Sequence, residues 1–264
     1  MTSTANSATA KAQCDTGQVA ILKGREETYP AALEQAIIER WGRQTLADLQ
    51  IGGLSAQPTL PLSVVVDRIS NVVPYYRSLL RQYQRNGCYI WPELSAVDTL
   101  DRLNLVQISL GLEIPVPVTV ALPSKDHPKG VISEDLQNLI YPLNWDEILA
   151  QVGLPARLRS IELAYHQELL IHSLSALWEQ YAATSTDLMI IQSWRQCDKK
   201  VTVVVVGDLV RCLGAYGPDH RFTVDGLSPV VQQELCQHST RLAQAAGLSL
   251  CSVEWCWTPQ RYWL

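Results

Sequence analysis

The chain has 264 residues, 47% of them hydrophobic, enough for a packed core. Its 21 Lys and Arg are scattered among 26 Asp and Glu, for a net charge of -5. That balance argues against nucleic acid as a partner, because counterion release needs clustered cations. The longest apolar run, Val201–Val206 with one Thr, is strand-sized, far below the roughly 20 residues that span a bilayer.

The opening "MTSTANSATAKAQC" is small and polar without an apolar centre, so residues 1–16 read as a disordered leader and not a signal peptide. Seven cysteines at irregular spacings, Cys14, Cys88, Cys197, Cys212, Cys236, Cys251 and Cys256, fit a reducing compartment better than a disulfide framework. A cytoplasmic protein is the expectation. Val19–Leu22 predicts a first strand, and Leu33, Ile37 and Trp41 mark a helix over Ala31–Trp41. Leu60–Asp67 is a second strand, Pro74–Arg85 a helix with Pro in its first turn and Gly87 past its end, and "CYIWP" a third strand. Strands alternating with helices imply a mostly parallel α/β layer over residues 17–95.

Leu100, Leu103, Val106 and Leu110 space a helix over Asp98–Leu110, and "IPVPVTVALP" follows as an extended strand. Residues 124–150 are turn-rich, with Ser133 or Asn144 as N-caps, and read as a connector. Then come a strand near Arg157–Leu163, a helix through Leu174–Tyr181 and the strand "DLMIIQSW". "KKVTVVVVGDLVRCLGAYG" is a hairpin turning at Gly207 and Asp208, since β-branched residues flank a Gly-Asp turn. A helix over Pro229–Ala246 and a terminal strand complete the chain.

In this order the pieces resemble the ATP-grasp superfamily, of the glutathione-synthetase-like kind. The matching segments are "VAILKGREETYPAALEQAI" and "VVVDRISNVVPYYRSLLRQYQRNGCYIWP", then "LPSKDHPKG" with "NLIYPLNWDEILAQVGLPARLR", and later "MIIQSW", "VVVVGDLVRCLGAYGP" and "AAGLSLCSVEW". The resemblance implies an α/β fold, α+β in its second half. A parallel pre-ATP-grasp domain over 17–95 would precede an incomplete two-subdomain ATP-grasp module over 96–264. It also implies ATP and Mg as cofactors, because such ligases activate a carboxylate by phosphoryl transfer before an amine attacks.

The same resemblance assigns site residues. Arg102 and Arg159 stand where the family has its two phosphate-binding lysines; Arg still binds phosphate bidentately but is not a neutral exchange. Gln192 falls in the strand that holds the adenine, with Ser193 where the family usually has Glu. Glu254 aligns with the first magnesium ligand. For each a structural role is the competing reading: surface or salt-bridged Arg, core strand, lone carboxylate. The family's glycine-rich loop corresponds to "SIELAYHQELLIH", which has no glycine and so approaches phosphates less closely. The family's next metal-ligand strand lies past the end of the sequence.

Two functions follow: a degenerate ATP-grasp-like protein, non-catalytic, acting as a binding or assembly factor; or an active ATP-dependent carboxylate-amine ligase using Arg in place of Lys. Trp255, Trp257, Tyr262 and Trp263 add much apolar area to the tail. The expectation is that Trp255 is core while Trp257 or Trp263 binds a protein partner or a second copy. Alternation places Trp255, Trp257 and Trp263 on one face of a straight strand, subject to Pro259. Cys251 and Cys256 are expected to be core thiols.

Overall fold

The structure, a computed structural model, describes residues 17–53, 61–163, 167–219 and 221–264. The expected leader and Leu60 lie outside these residues. The chain divides into two compact units between Trp91 and Pro92.

The first unit runs β1 (Gln18–Leu22), α1 (Thr28–Trp41), β2 (Leu62–Asp67), α2 (Pro74–Arg85) and β3 (Tyr89–Trp91). The three strands form one parallel sheet in the order β1-β2-β3, as alternating strand and helix signals require. Helix α2 begins at Pro74, whose missing N–H has no partner to lose there, and buries Leu79, Leu80 and Tyr83. Gly87 follows with φ 86°, a conformation that other residues reach only with strain.

The second unit opens with α3 (Leu94–Thr99) and α4 (Arg102–Gly111), where one helix over Asp98–Leu110 was expected. The break has a local cause. Asp101 is extended and its carboxylate accepts the backbone N–H of Asn104, starting a new helix and turning Arg102 into its first residue. There follow β4 (Thr119–Leu122), α5 (Trp145–Val152), β5 (Ala156–Ser160), β6 (Glu168–Ile171), α6 (Leu174–Ala182) and β7 (Met189–Ser193). The chain continues through β8 (Lys199–Val206), β9 (Leu209–Tyr216), β10 (Phe222–Thr223), α7 (Pro229–Ala245), β11 (Leu250–Thr258) and β12 (Arg261–Trp263).

Two antiparallel sheets result, one of four strands ordered β4-β7-β5-β6 and one of five ordered β10-β9-β8-β11-β12. The four-stranded sheet rests one face on α5 and α6, where Leu122, Leu158, Ile171 and Ile191 pack with Val152, Leu177 and Tyr181. The five-stranded sheet rests Val201, Val203, Val253 and Trp255 on Leu235 and Leu242 of α7. Helix α7 is capped by Ser228, whose hydroxyl accepts from Val231 N, with Pro229 in its first turn.

The β8–β9 hairpin turns at Gly207 and Asp208, with Gly207 at φ 56°, so its register places Val206 against Leu209. The register then shifts, and Gly214 takes φ 86° beside β10, where an added Cβ would stand 1.9 Å from the Thr223 carbonyl oxygen. Gly214→Ala is therefore expected to destabilise the protein by about 2 kcal/mol. An unchanged urea midpoint would show that β10 moves aside at no cost.

The aromatic tail is covered mostly from within. Trp255 is fully buried, and its indole N–H donates to Ser239 Oγ at 2.9 Å. Tyr262 packs edge-on against it at 5.7 Å, because β12 folds back and pairs Tyr262 with Trp257. Trp263 pairs instead with Cys256, so it sits on the opposite face from Trp255 and Trp257 and is 8% exposed. This corrects two expectations: the three tryptophans do not share a face, and Trp263 is an interior residue. The hairpin reverses the chain at Pro259 and Gln260, which a straight-strand alternation cannot anticipate.

Cys251 is a free, half-buried thiol on the core face of β11, and burial pushes it up to about 11. Cys256 is joined to Cys197 by a disulfide, with Cα atoms 5.3 Å apart, so it is not the core thiol the sequence suggested. Among the described residues no helix is long and apolar enough to cross a membrane.

Candidate functional site

The four-stranded sheet has two unlike faces. Strand β5 alternates Ala156, Leu158 and Ser160 with Arg157 and Arg159, the first three turned to the α5–α6 side. Arg157 pairs with Gln192 of β7 and Leu170 of β6, while Arg159 pairs with Ile190 and Glu168. The other face thus carries Arg157, Arg159, Gln192 and Glu168 together. Guanidinium groups of this kind can bind an anion bidentately.

Arg159 is the centre of this face. Burial is the largest influence on its guanidinium and pushes it down; Glu168 opposes, Arg157 adds to the depression and Glu254 opposes again. Its Nε is buried and has no hydrogen-bond partner among the described residues. A desolvated guanidinium donor without a partner is costly unless something fills it. Glu254 is exposed and lies on the face of β11 opposite Trp255, opposite Thr202 of β8 in register. It is the smallest of the influences on Arg159.

Arg102 reaches the same neighbourhood in a different role. It is 6% exposed, and its guanidinium donates to the carbonyl oxygens of Ser160 at 2.9 Å, Glu162, and Leu163 at 3.3 Å. Its backbone N–H donates to Ile161 O at 2.8 Å. Burial first, and then repulsion from Arg159, push it down to about 10. Arg102 therefore clamps the chain leaving β5, and its donors point at backbone oxygens. The expected open phosphate ligand is a buried structural cation in this structure.

Gln192 is buried, with its amide nitrogen donating to Thr119 Oγ1 at 2.9 Å across β4–β7. Ser193 N donates to Val118 O and Trp194 N to Pro155 O, so the end of β7 is pinned on both sides. Trp194, Val118 and Leu154 leave apolar surface exposed there. Trp257 lies on the core face of β11, partly buried, with the Lys199 ammonium 5.7 Å from its ring. Sequence reasoning missed Arg157 and Glu168. The alternation in "ARLRS" carries the first, but Glu168 lay in a segment read as a loop, because "ELLI" is too short to distinguish from one.

Glu254 is the sole carboxylate of β11, and among the described residues no cluster of three Asp, Glu, His or Cys could hold a metal ion. These residues alone do not fit a magnesium site, since that ion wants octahedral oxygen coordination with shared charge. A cavity of about 210 Å³ lies in the connector, lined by Lys125, His127, Leu139 and Tyr141 among others, and contains none of the site residues.

The two antiparallel sheets following a parallel α/β unit match solved structures. A RimK domain protein ATP-grasp from Sphaerobacter thermophilus DSM 20745 superposes with a TM-score of 0.66, at 17% identity, over 93% of this chain and 88% of that one. The chain has the ATP-grasp fold. D-alanine–D-alanine ligase from Bacillus anthracis, complexed with ATP, matches at TM-score 0.65 and 10% identity over 94% of this chain and 84% of that one. Carboxyaminoimidazole ribonucleotide synthase from Aspergillus clavatus, also complexed with ATP, matches at 0.63 and 16% over 94% and 68%. No protein-family model matches the sequence, and no curated protein sequence matches it significantly. At such identities the likeness carries the ATP-grasp fold, and function must be argued from the site.

Proposed function

We propose that this ATP-grasp-fold protein binds a nucleotide through Arg159 without performing ligase chemistry, and acts as a binding or assembly factor in the cytoplasm. The first unit serves as the pre-ATP-grasp domain and the second as the nucleotide-binding module. The carrying observation is Arg159, whose buried Nε lacks a partner on a polar face. Around it the other expected phosphate cation, Arg102, is engaged with backbone carbonyls. The proposal places the polyphosphate against Arg159 and Arg157, and the base against the exposed apolar surface near Trp194. Two of the structural neighbours are solved with ATP, which supports a nucleotide in particular.

A protein partner or a second copy would meet the tail at Trp257, since Trp263 is interior. The alternative reading, an active carboxylate-amine ligase, is favoured by one observation: the exposed Glu254 of β11 exerts a charge influence on Arg159, and a carboxylate near that cation could share a magnesium ion with ATP oxygens.

Calorimetric titration of ATP with magnesium, and with chelator, separates these readings. Binding that persists in chelator, and that Arg159→Gln weakens about tenfold or more, supports nucleotide binding without metal chemistry. Absence of binding under both conditions would sink it. ADP release that depends on magnesium and on an added carboxylate and amine would establish the ligase instead.

A further inference from the structure

The antiparallel register of β5 and β6 sets Glu168 directly across from Arg159. Its carboxylate Oε2 also stands 3.7 Å from Arg157 Nη1. Because Arg157 and Arg159 are two residues apart on one strand, both guanidinium groups rise from the same face, and one carboxylate serves both. It also counteracts the depression of Arg102. Arg157 and Arg159 thus share Glu168 on the face where a polyphosphate would lie.

Glu168 balances charge without filling the hydrogen-bonding capacity of Arg159, since Nε of that residue has no partner among the described residues. It sits on the sheet's edge strand and is exposed, so its side chain has room to turn away from an arriving anion. A phosphate approaching Arg159 meets two effects of opposite sign: attraction by the guanidinium groups and repulsion by this carboxylate.

We propose that Glu168 is an internal counter-anion that sets the affinity of the Arg157–Arg159 face for polyphosphate ligands. This rests on the nucleotide-binding reading above and adds a residue that holds the affinity down. Without it Arg157 and Arg159 would present uncompensated positive charge to any small anion. With it, an arriving anion must displace the carboxylate, which holds down the affinity for every phosphate ligand.

The test is titration of the full chain with tripolyphosphate, ATP and inorganic phosphate at low ionic strength, using wild type, Glu168→Gln, Glu168→Ala and Arg159→Gln. Loss of the carboxylate charge at this separation is expected to tighten tripolyphosphate about fivefold, and the less charged inorganic phosphate by a smaller factor. The gain should vanish in the Glu168→Gln, Arg159→Gln double variant. Wild-type binding that Glu168→Gln and Glu168→Ala leave unchanged or weaken, with thermal melting intact, overturns this inference while the nucleotide-binding reading stands. If neither wild type nor Glu168→Gln binds any of the three anions, both fall. Binding by the variants where wild type shows none supports the counter-anion role.

Discussion

Trp255→Ala is expected to destabilise the protein by about 3–5 kcal/mol, the largest effect of any single truncation in the second unit. Trp255 is fully buried where the five-stranded sheet meets α7, amid Val201, Val203, Val253, Leu235 and Leu242. Removing the indole leaves a cavity between two elements that cannot collapse independently, because the β8–β11 ladder holds one wall and α7 the other. It also orphans the Ser239 hydroxyl, which is fully buried and accepts the indole N–H. Trp255→Phe keeps most of the volume and is expected to cost less than half as much. Urea unfolding at fixed pH measures both; a Trp255→Ala loss below about 1 kcal/mol would mean that the β11–α7 interface rearranges freely.

Arg102→Ala should cost about 2–4 kcal/mol in stability and leave nucleotide affinity less affected than Arg159→Gln does. The guanidinium ties α4 to the carbonyls of Ser160, Glu162 and Leu163, so its removal frees the segment after β5 and leaves oxygens without donors. Arg102→Lys should rescue little, because one ammonium on a flexible stem cannot span three carbonyls as a planar fork does. Part of the loss is offset, since the repulsion between Arg102 and Arg159 disappears with the side chain. The comparison is made by unfolding each variant in urea and titrating ATP on the folded protein. If Arg102→Ala is as stable as wild type but loses ATP binding, Arg102 is a phosphate ligand after all.

These two residues also divide what was legible beforehand from what was not. Arg102 was visible as a cation, and its place near Arg159 followed from the family resemblance. Its hydrogen-bond partners did not, because they belong to residues 58 to 61 positions away that only the folded chain brings near. Glu168 was hidden for a related reason. A four-residue edge strand has too few alternations to announce itself, and its pairing with β5 is what makes it a strand.

By itself the sequence determined the local elements whose signals are short-range. These are the parallel βα alternation of the first unit, the α2 start at Pro74 and stop before Gly87, the Gly207–Asp208 turn, and the Ser228–Pro229 start of α7. Each rests on one residue's backbone preference or on a repeat within a single element, so neighbours in sequence suffice. Tertiary structure alone decided the burial of Trp263 and the meeting of Arg159 and Glu168. Those outcomes depend on which strand lies beside which and on where a hairpin reverses. Such pairings are set by packing between distant segments, and no local propensity encodes them.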